Sequence, residues 1–233
     1  LGGHKVENGT IGVYIWSGLK NVTVINGTLR NLTIGLFLNS TNDSFVRNVI
    51  FESNSIGAYV DPSYNNTFIN NTFFNNSYYG LLLHDSHNNT LINNTFYNNT
   101  YGLYLNYSIN NTIMNNSAYD NSQNGFHLYS SSNNDLTNNT AYNNAYSSFY
   151  LNSSSNNTLS TNFAYNNSYG FYFYSGNNNS LTNSTAYNNT YSGVMLNSTA
   201  ENNITISTVY NNTYGIYLLS SSENSFTNIS AFE

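Results

Sequence analysis

Gly80-Leu-Leu-Leu-His-Asp-Ser-His-Asn-Asn-Thr-Leu-Ile-Asn-Asn-Thr-Phe-Tyr-Asn-Asn-Thr-Tyr101 reads as one turn of a coil. Gly102 follows, and the pattern starts again. Glycines stand at 12, 35, 57, 80, 102, 125, 170, 193 and 215, with Ser148 filling the one gap, so the period is 22 or 23 residues throughout. Self-similarity at such a period marks a repeat architecture. No insertion breaks it. The expectation is one domain over 1–233, with 1–11 as the tail of a preceding coil and 12–233 as ten coils, the last incomplete.

Inside each unit apolar residues alternate, the period of a strand. Two apolar positions flank one residue just after each glycine: Val13/Ile15, Leu36/Leu38, Ala58/Val60, Leu81/Leu83, Leu103/Leu105, Phe126/Leu128, Phe149/Leu151, Phe171/Phe173, Val194/Leu196 and Ile216/Leu218. A second column reads Val24, Phe45, Phe68, Leu91, Ile113, Leu136, Leu159, Leu181, Ile204 and Phe226. A third reads Leu29, Ile50, Phe73, Phe96, Ala118, Ala141, Ala164, Ala186, Val209 and Ala231. Three short strands per coil, each with an inward column, predict an all-β parallel β-helix. No segment between turn residues is long enough for a stable helix. The columns also trade volume: the third shrinks to Ala where the first grows to Phe126, Phe149 and Phe171. Close packing demands such a trade only if both columns share one interior. Ten coils at the inter-strand spacing give a rod of roughly 45–50 Å.

Asparagine, 52 of 233 residues, is the compositional outlier. It tolerates the left-handed backbone that tight corners need. The column Asn76, Asn99, Asn121, Asn144, Asn167, Asn189 and Asn212 predicts a ladder of stacked amides. There is no cysteine, so disulfides and cysteine metal sites are excluded. The net charge is −6, and all four basic residues (Lys5, Lys20, Arg30, Arg47) precede residue 48. Nucleic-acid binding needs many phosphate contacts and is not expected. No apolar run is long enough to be a transmembrane segment. No cofactor motif is present.

Two outward aromatic columns are candidate interaction surfaces. One reads Tyr14, Phe37, Tyr59, Leu82, Tyr104, His127, Tyr150, Tyr172, Met195, Tyr217; the other reads Phe51, Phe74, Tyr97, Tyr119, Tyr142, Tyr165, Tyr187, Tyr210, Phe232. Exposed aromatic stripes grip sugars or another protein, whereas self-stacked ladders simply stiffen a sheet. Asn-x-Ser/Thr occurs 26 times. Glycosylation candidates on outward corners are Asn65, Asn70, Asn75, Asn88, Asn93, Asn98, Asn110, Asn138, Asn188 and Asn211, with partial occupancy expected because neighbouring glycans would collide. A sequence this rich in Asn, Ser and Thr also generates the pattern by repetition. His84-Asp85-Ser86-His87 is the one local polar cluster. Asp61 falls one coil before His84, so Asp61, His84 and His87 are weak candidates for a metal site or an acid–base pair, against a plain solvated turn. The ten carboxylates, Glu7 to Glu233, are spread along the coils in different columns, which argues against the paired acids of a glycosidase.

The unit Gly-φ-Tyr-φ, then Ser-Asn-Asn-Thr-φ, Asn-Asn-Thr, and Tyr-Asn-Asn-x-Tyr-Gly resembles the pectate-lyase-like right-handed β-helix repeats of the NosD type, which recur in archaeal cell-surface proteins. The resemblance covers essentially the whole chain. It implies a single-stranded right-handed helix, and its function can be enzyme, adhesin or scaffold. No ligand motif carries copper binding over. The expected function is a non-catalytic, glycosylated extracellular filament, sheath or adhesin rod that self-associates end to end or side by side. The alternative is a carbohydrate-binding or carbohydrate-processing module that uses the external aromatics.

Overall fold

The computed structural model describes residues 1–205 and 207–232; Ile206 and Glu233 lie outside the described residues. All secondary structure in them is β, and every paired strand is parallel to its neighbour one coil away. The chain begins with three long strands, β1 (Lys5–Ile15), β2 (Thr23–Asn39) and β3 (Phe45–Glu52). It then settles into trios, of which β4 (Ile56–Asp61), β5 (Thr67–Ile69) and β6 (Thr72–Phe74) are the first. Stacked trios make three faces: a long-strand face, a threonine face and a tyrosine-stack face. The solenoid is a right-handed single-stranded β-helix of about ten turns: the periodicity called for the coil and the resemblance for its hand.

The glycine column exists because coils pass too closely for a side chain. A Cβ on Gly102 would stand 2.6 Å from the carbonyl oxygen of Gly125 and 3.1 Å from Phe96 Cβ. The limit is the backbone of the next coil whatever the third column holds: Gly170, beside Ala186, would bring a Cβ to 2.5 Å from Gly193 O. Ser148 breaks the column; it is fully buried and its hydroxyl donates to Ala141 O at 2.8 Å.

Each coil turns at corners made by a two-residue device. One residue adopts the left-handed conformation and faces water; the next points inward. In the coil after Gly80 the left-handed residues are Asp85, Asn88, Asn93 and Asn98, and Ser86, Asn89, Asn94 and Asn99 are buried behind them. The inward amides form three ladders rather than one. The first, from Asn54 through Asn76 to Asn212, includes the column foreseen. A second runs from Asn66 to Asn224, and a third from Asn71 to Asn162, continued by Ser184 and Ser207. A hydroxyl ladder, Thr41–Ser63–Ser86–Ser108–Ser131–Ser154, lines the remaining corner. Each amide accepts the N–H of the residue in the preceding coil and donates to a carbonyl that the corner has removed from the sheet. Buried backbone groups are thereby paired at places where strand pairing stops.

Two inward assignments are corrected. Val46 and Phe51, not Phe45 and Ile50, fill the second and third columns: both are fully buried, Val24 pairs with Val46, and Leu29 pairs with Phe51. Ile50 is exposed and Phe51 leaves the outward aromatic column, where Glu52 stands instead. A shift of one residue on a strand exchanges its faces. Val46 and Phe51 lie as far from Gly35 as Phe68 and Phe73 lie from Gly57.

Candidate functional site

The two aromatic columns fall in register but differ in geometry. On the tyrosine-stack face, Phe74, Tyr97, Tyr119, Tyr142, Tyr165, Tyr187, Tyr210 and Phe232 stack face to face, with centroids 4.7–5.3 Å apart and interplanar angles of 1–10°. Each ring hides its faces against its neighbours and shows water an edge.

On the long-strand face the register Tyr14–Phe37–Tyr59–Leu82–Tyr104–His127–Tyr150–Tyr172–Met195–Tyr217 holds along the rod. Tyr14, Phe37 and Tyr59 stack. Beyond Leu82 the rings tilt: Tyr104 to His127 at 65°, His127 to Tyr150 at 42°, Tyr150 to Tyr172 at 38°. A neighbouring column, not isolated in the sequence reading, causes the tilt. It carries Tyr79, Tyr101, Tyr169 and Tyr214 at the residue before each glycine; where that position is Ser147 or Ser192, the tyrosine stands one place earlier, at 146 and 191. Most rings of the two columns meet obliquely, as Tyr101 meets Tyr104 at 73° and Tyr146 meets Tyr150 at 84°, while Tyr214 and Tyr217 stack at 24°. Crowding corrects one expectation: Tyr172 points outward yet is only 8% exposed, packed beside Tyr146, Tyr169 and Tyr174. Burial, reinforced by neighbouring tyrosines, pushes Tyr104 and Tyr146 up to about 12 and Tyr150 higher still, so the stripe is neutral.

Polar groups lie beneath it. His127 is 7% exposed, and burial lowers it to about 4, so its ring is uncharged at neutral pH. Its Nδ1 is 3.4 Å from Asn124 Nδ2, and Asn124 Oδ1 accepts the Ser147 N–H at 3.0 Å. His127 Nε2 and the hydroxyls of Ser147 and Ser192 are buried with no protein partner.

The polar cluster divides in two. His84 Nδ1 is 3.0 Å from Asp61 Oδ1, and the Tyr59 hydroxyl donates to Asp61 Oδ2 at 2.9 Å. Burial first, and that carboxylate second, raise the Tyr59 phenol, which stays protonated. His87 does not join them: its Nε2 is 3.5 Å from Asp85, and its Nδ1 accepts the Ile109 N–H at 3.2 Å. Among the described residues no three His, Cys, Asp or Glu side chains converge to hold a metal.

The ten glycosylation candidates all adopt the left-handed conformation and are exposed. Of the 26 Asn-x-Ser/Thr asparagines, 20 do so. In Asn93-Asn94-Thr95 the first residue makes the corner, the second enters a ladder and the third starts a strand. The tripeptide is therefore the corner code of the fold as well as an acceptor pattern.

A solenoid with three faces, ladder-lined corners and a side-chain-filled interior defines the parallel β-helix class. Its sequence places it further. The family described as "Periplasmic copper-binding protein (NosD)" matches residues 1–147, and the right-handed beta helix region matches residues 101–232. The chain belongs to the NosD family of right-handed β-helix proteins. The copper of that description does not fit the donors present: among the described residues no three His, Cys, Asp or Glu side chains converge, and His127 is buried between tyrosines. No curated protein matches the sequence. Among solved structures the chain is similar to the A-module of the Azotobacter vinelandii mannuronan C-5 epimerase AlgE6, with TM-score 0.82 and 17% identity over 91% of this chain and 64% of that one. It is also similar to the periplasmic alginate epimerase AlgG, with TM-score 0.73 and 17% identity over 91% and 61%. An alginate lyase from Paenibacillus sp. str. FPU-7 gives TM-score 0.69 and 11% identity over 99% and 98%. The chain spans about three fifths of the length of the two epimerases. At these identities the likeness is one of fold. No helix in the described residues is long and apolar enough to cross a membrane.

Proposed function

We propose that this chain is a non-catalytic rod outside the cytoplasm that holds a polysaccharide along its long-strand face. The observation that carries the reading is the oblique double column from Tyr79 to Tyr217. Its rings offer partial faces, which sugar C–H groups pack against, whereas the flat stack offers edges. Aromatic stripes of this extent on an otherwise polar surface mark interaction sites. The coil rise of about 4.8 Å is close to one sugar residue of an extended chain, so successive coils meet successive residues. The structural neighbours include proteins named for acting on alginate, which supports a polysaccharide partner for this face.

The ladders and close-packed interior fit the same rod to a scaffolding role. End-to-end or side-by-side association, and glycans on the corner asparagines, belong to this reading. Light scattering across a concentration range tests the first, and an intact mass above the bare 26.1 kDa tests the second. The central experiment is a titration with soluble neutral polysaccharide. Tyr104→Ala with Tyr150→Ala is expected to weaken binding at least tenfold, and equal affinity for the double variant would end the proposal.

A second reading rests on the Tyr59–Asp61–His84 chain of hydrogen bonds, the one place where a phenol, a carboxylate and an imidazole join on this face. They could serve as acid and base in glycan cleavage. Turnover of a polysaccharide that disappears in His84→Ala, with binding intact, would establish it.

A further inference from the structure

Where the chain passes from the tyrosine-stack face to the long-strand face, the surface forms an open trough of about 280 Å³. Its lining is Asn75, Asn76 and Ser77 from one coil, Asn98, Asn99 and Thr100 from the next, and Asp120 and Ser122 from the third. Asn75, Asn98 and Asp120 are the left-handed corner residues and face water, while Asn76 and Asn99 are buried in a ladder. Thr100 Oγ1 donates to Ser77 O at 2.8 Å and keeps its lone pairs free to accept. Aromatic residues border the lining in chain order: Phe74, Tyr97 and Tyr119 immediately before it, Tyr78 and Tyr101 immediately after.

We infer that this trough is a sugar subsite selective for neutral or amino sugars and against uronic acids. The inference rests on the polysaccharide reading above and names the class of sugar it takes. The exposed amides of Asn75 and Asn98, the hydroxyls and one carboxylate are the groups that exchange hydrogen bonds with sugar hydroxyls, and Tyr78, exposed next to Ser77, offers a ring face to the sugar's C–H groups. Charge sets the selectivity. From Gly57 to Ser147 the chain carries Asp61, Asp85, Asp120 and Asp135 and no Lys or Arg. His127 is uncharged. A polyuronate would bring a carboxylate toward Asp120 with no cation to receive it, and the repulsion acts within the Debye length of about 8–10 Å. A protonated amino sugar would meet Asp120 as an ion pair, and the hydroxyls of a neutral sugar would donate to its two oxygens. The structural neighbours named for alginate would, on this inference, share the fold with this chain but not its preferred sugar.

The test titrates the full chain, from a host that adds no N-glycan at Asn75 or Asn98, with three oligosaccharides of equal length: a neutral β-linked glucan, its amino analogue and an oligouronate. The expected order is amino, then neutral, with the uronate at least tenfold weaker than the neutral glucan. Asp120→Asn should remove the preference for the amino sugar and leave neutral binding within about twofold, because the amide keeps an acceptor. Asp120→Lys should raise uronate affinity at least fivefold. Uronate binding as tight as neutral binding in the unaltered chain overturns the inference, as does an amino preference that survives Asp120→Asn. Binding abolished by Tyr104→Ala with Tyr150→Ala but indifferent to Asp120 would overturn the trough alone. Absence of binding to all three sugars would overturn the trough and the polysaccharide reading together.

Discussion

Two aromatic stripes climb the same rod at the same rise, and they are built to different ends. On the tyrosine-stack face the strands from Thr72 on are three residues long and follow the pattern Thr-φ-Tyr, with Ser117, Phe163 and Ser230 in place of the threonine and Phe74 and Phe232 in place of the tyrosine. Nothing obstructs the rings, so they lie flat on one another within 10°. On the long-strand face most strands have six residues and present two ring-bearing columns. Two columns crowd that width, and most of their rings interlock obliquely. Identical register thus gives a flat stack on one side and interlocked, variously tilted rings on the other. The first contributes stability; the second leaves surface for a partner.

Both stripes depend on the ladders, and breaking a ladder carries the largest expected effect. Asn116 Oδ1 accepts from Asn94 N–H at 2.8 Å and Asn94 Nδ2 at 3.0 Å, while its Nδ2 donates to Leu91 O at 2.9 Å. Asn116→Ala leaves these groups buried without partners, at about 1–3 kcal/mol each. A loss of about 4 kcal/mol in denaturant unfolding is expected, with both stripes losing register at that coil. Asn116→Ser should cost about half as much, because Ser184 serves in the same ladder by accepting the Asn162 N–H at 3.1 Å. Equal stability for the alanine variant would mean the ladder is ornamental.

The next effect separates the stripes by pH, since only the oblique one contains an imidazole. His127 is lowered to about 4 by burial, against an ordinary value of 6.5. Below 6.5 the unfolded chain takes up a proton that the folded chain refuses. Stability is therefore full above pH 6.5, falls as the pH drops toward 4, and levels off below that. The loss is on the order of 3 kcal/mol, at 1.36 kcal/mol per pKa unit. His127→Phe should abolish this part of the acid slope, and the analogous Tyr142→Phe in the flat stack should leave the slope unchanged. A slope that persists in His127→Phe would move its origin to the carboxylates.

Much of this was legible in the sequence, and the failures have physical causes. The glycine column and the inward apolar pairs announced the coil because a steric rule enforces both. Phe45 and Ile50 were misplaced because each has an apolar neighbour, so alternation alone offers two registers, and only the distance from Gly35 selects Val46 and Phe51. Two of the three amide ladders were missed because Asn-Asn pairs look uniform, although one member turns the corner in water and the other is buried. Asp61 and His84 were placed together correctly, since a one-coil offset suffices. The obliqueness of the long-strand rings was not legible. It arises from the second tyrosine column crowding the first, and Tyr146 and Tyr191 stand one residue out of that column, where no periodic reading keeps them.

A direct exchange then tests the division of labour. Tyr142→Ala removes a ring stacked on Tyr119 and Tyr165, at centroid distances of 4.9 Å on both sides. Each such pair is worth about 0.5–1.5 kcal/mol beyond area, so a loss of about 2 kcal/mol in stability is expected with polysaccharide affinity unchanged. Tyr104→Ala should lower affinity about fivefold and also cost about 2 kcal/mol of stability, since its ring packs against Tyr79, Tyr101 and His127. If the two variants lowered affinity equally, the geometric distinction between the stripes would have no functional content.

The smallest expected effect is the most discriminating. Ser147 and Ser154 are both fully buried, but the Ser154 hydroxyl accepts the Ser131 N–H at 2.9 Å and donates within its corner, while the Ser147 hydroxyl has no partner under the tyrosines. Removing a paired hydroxyl exposes the cost of its orphaned partner, whereas removing an unpaired one relieves a desolvation cost. Ser154→Ala should therefore lose about 1–2 kcal/mol, and Ser147→Ala should change stability by less than about 0.5 kcal/mol or raise it slightly. Should Ser147→Ala instead leave stability alone and weaken polysaccharide binding, the hydroxyl beneath the oblique rings would be a group the ligand reaches when Tyr146 moves aside. The long-strand face would then be a surface that opens, and the flat stack, with no unpartnered buried side-chain polar atom beside it among the described residues, would be its fixed counterpart.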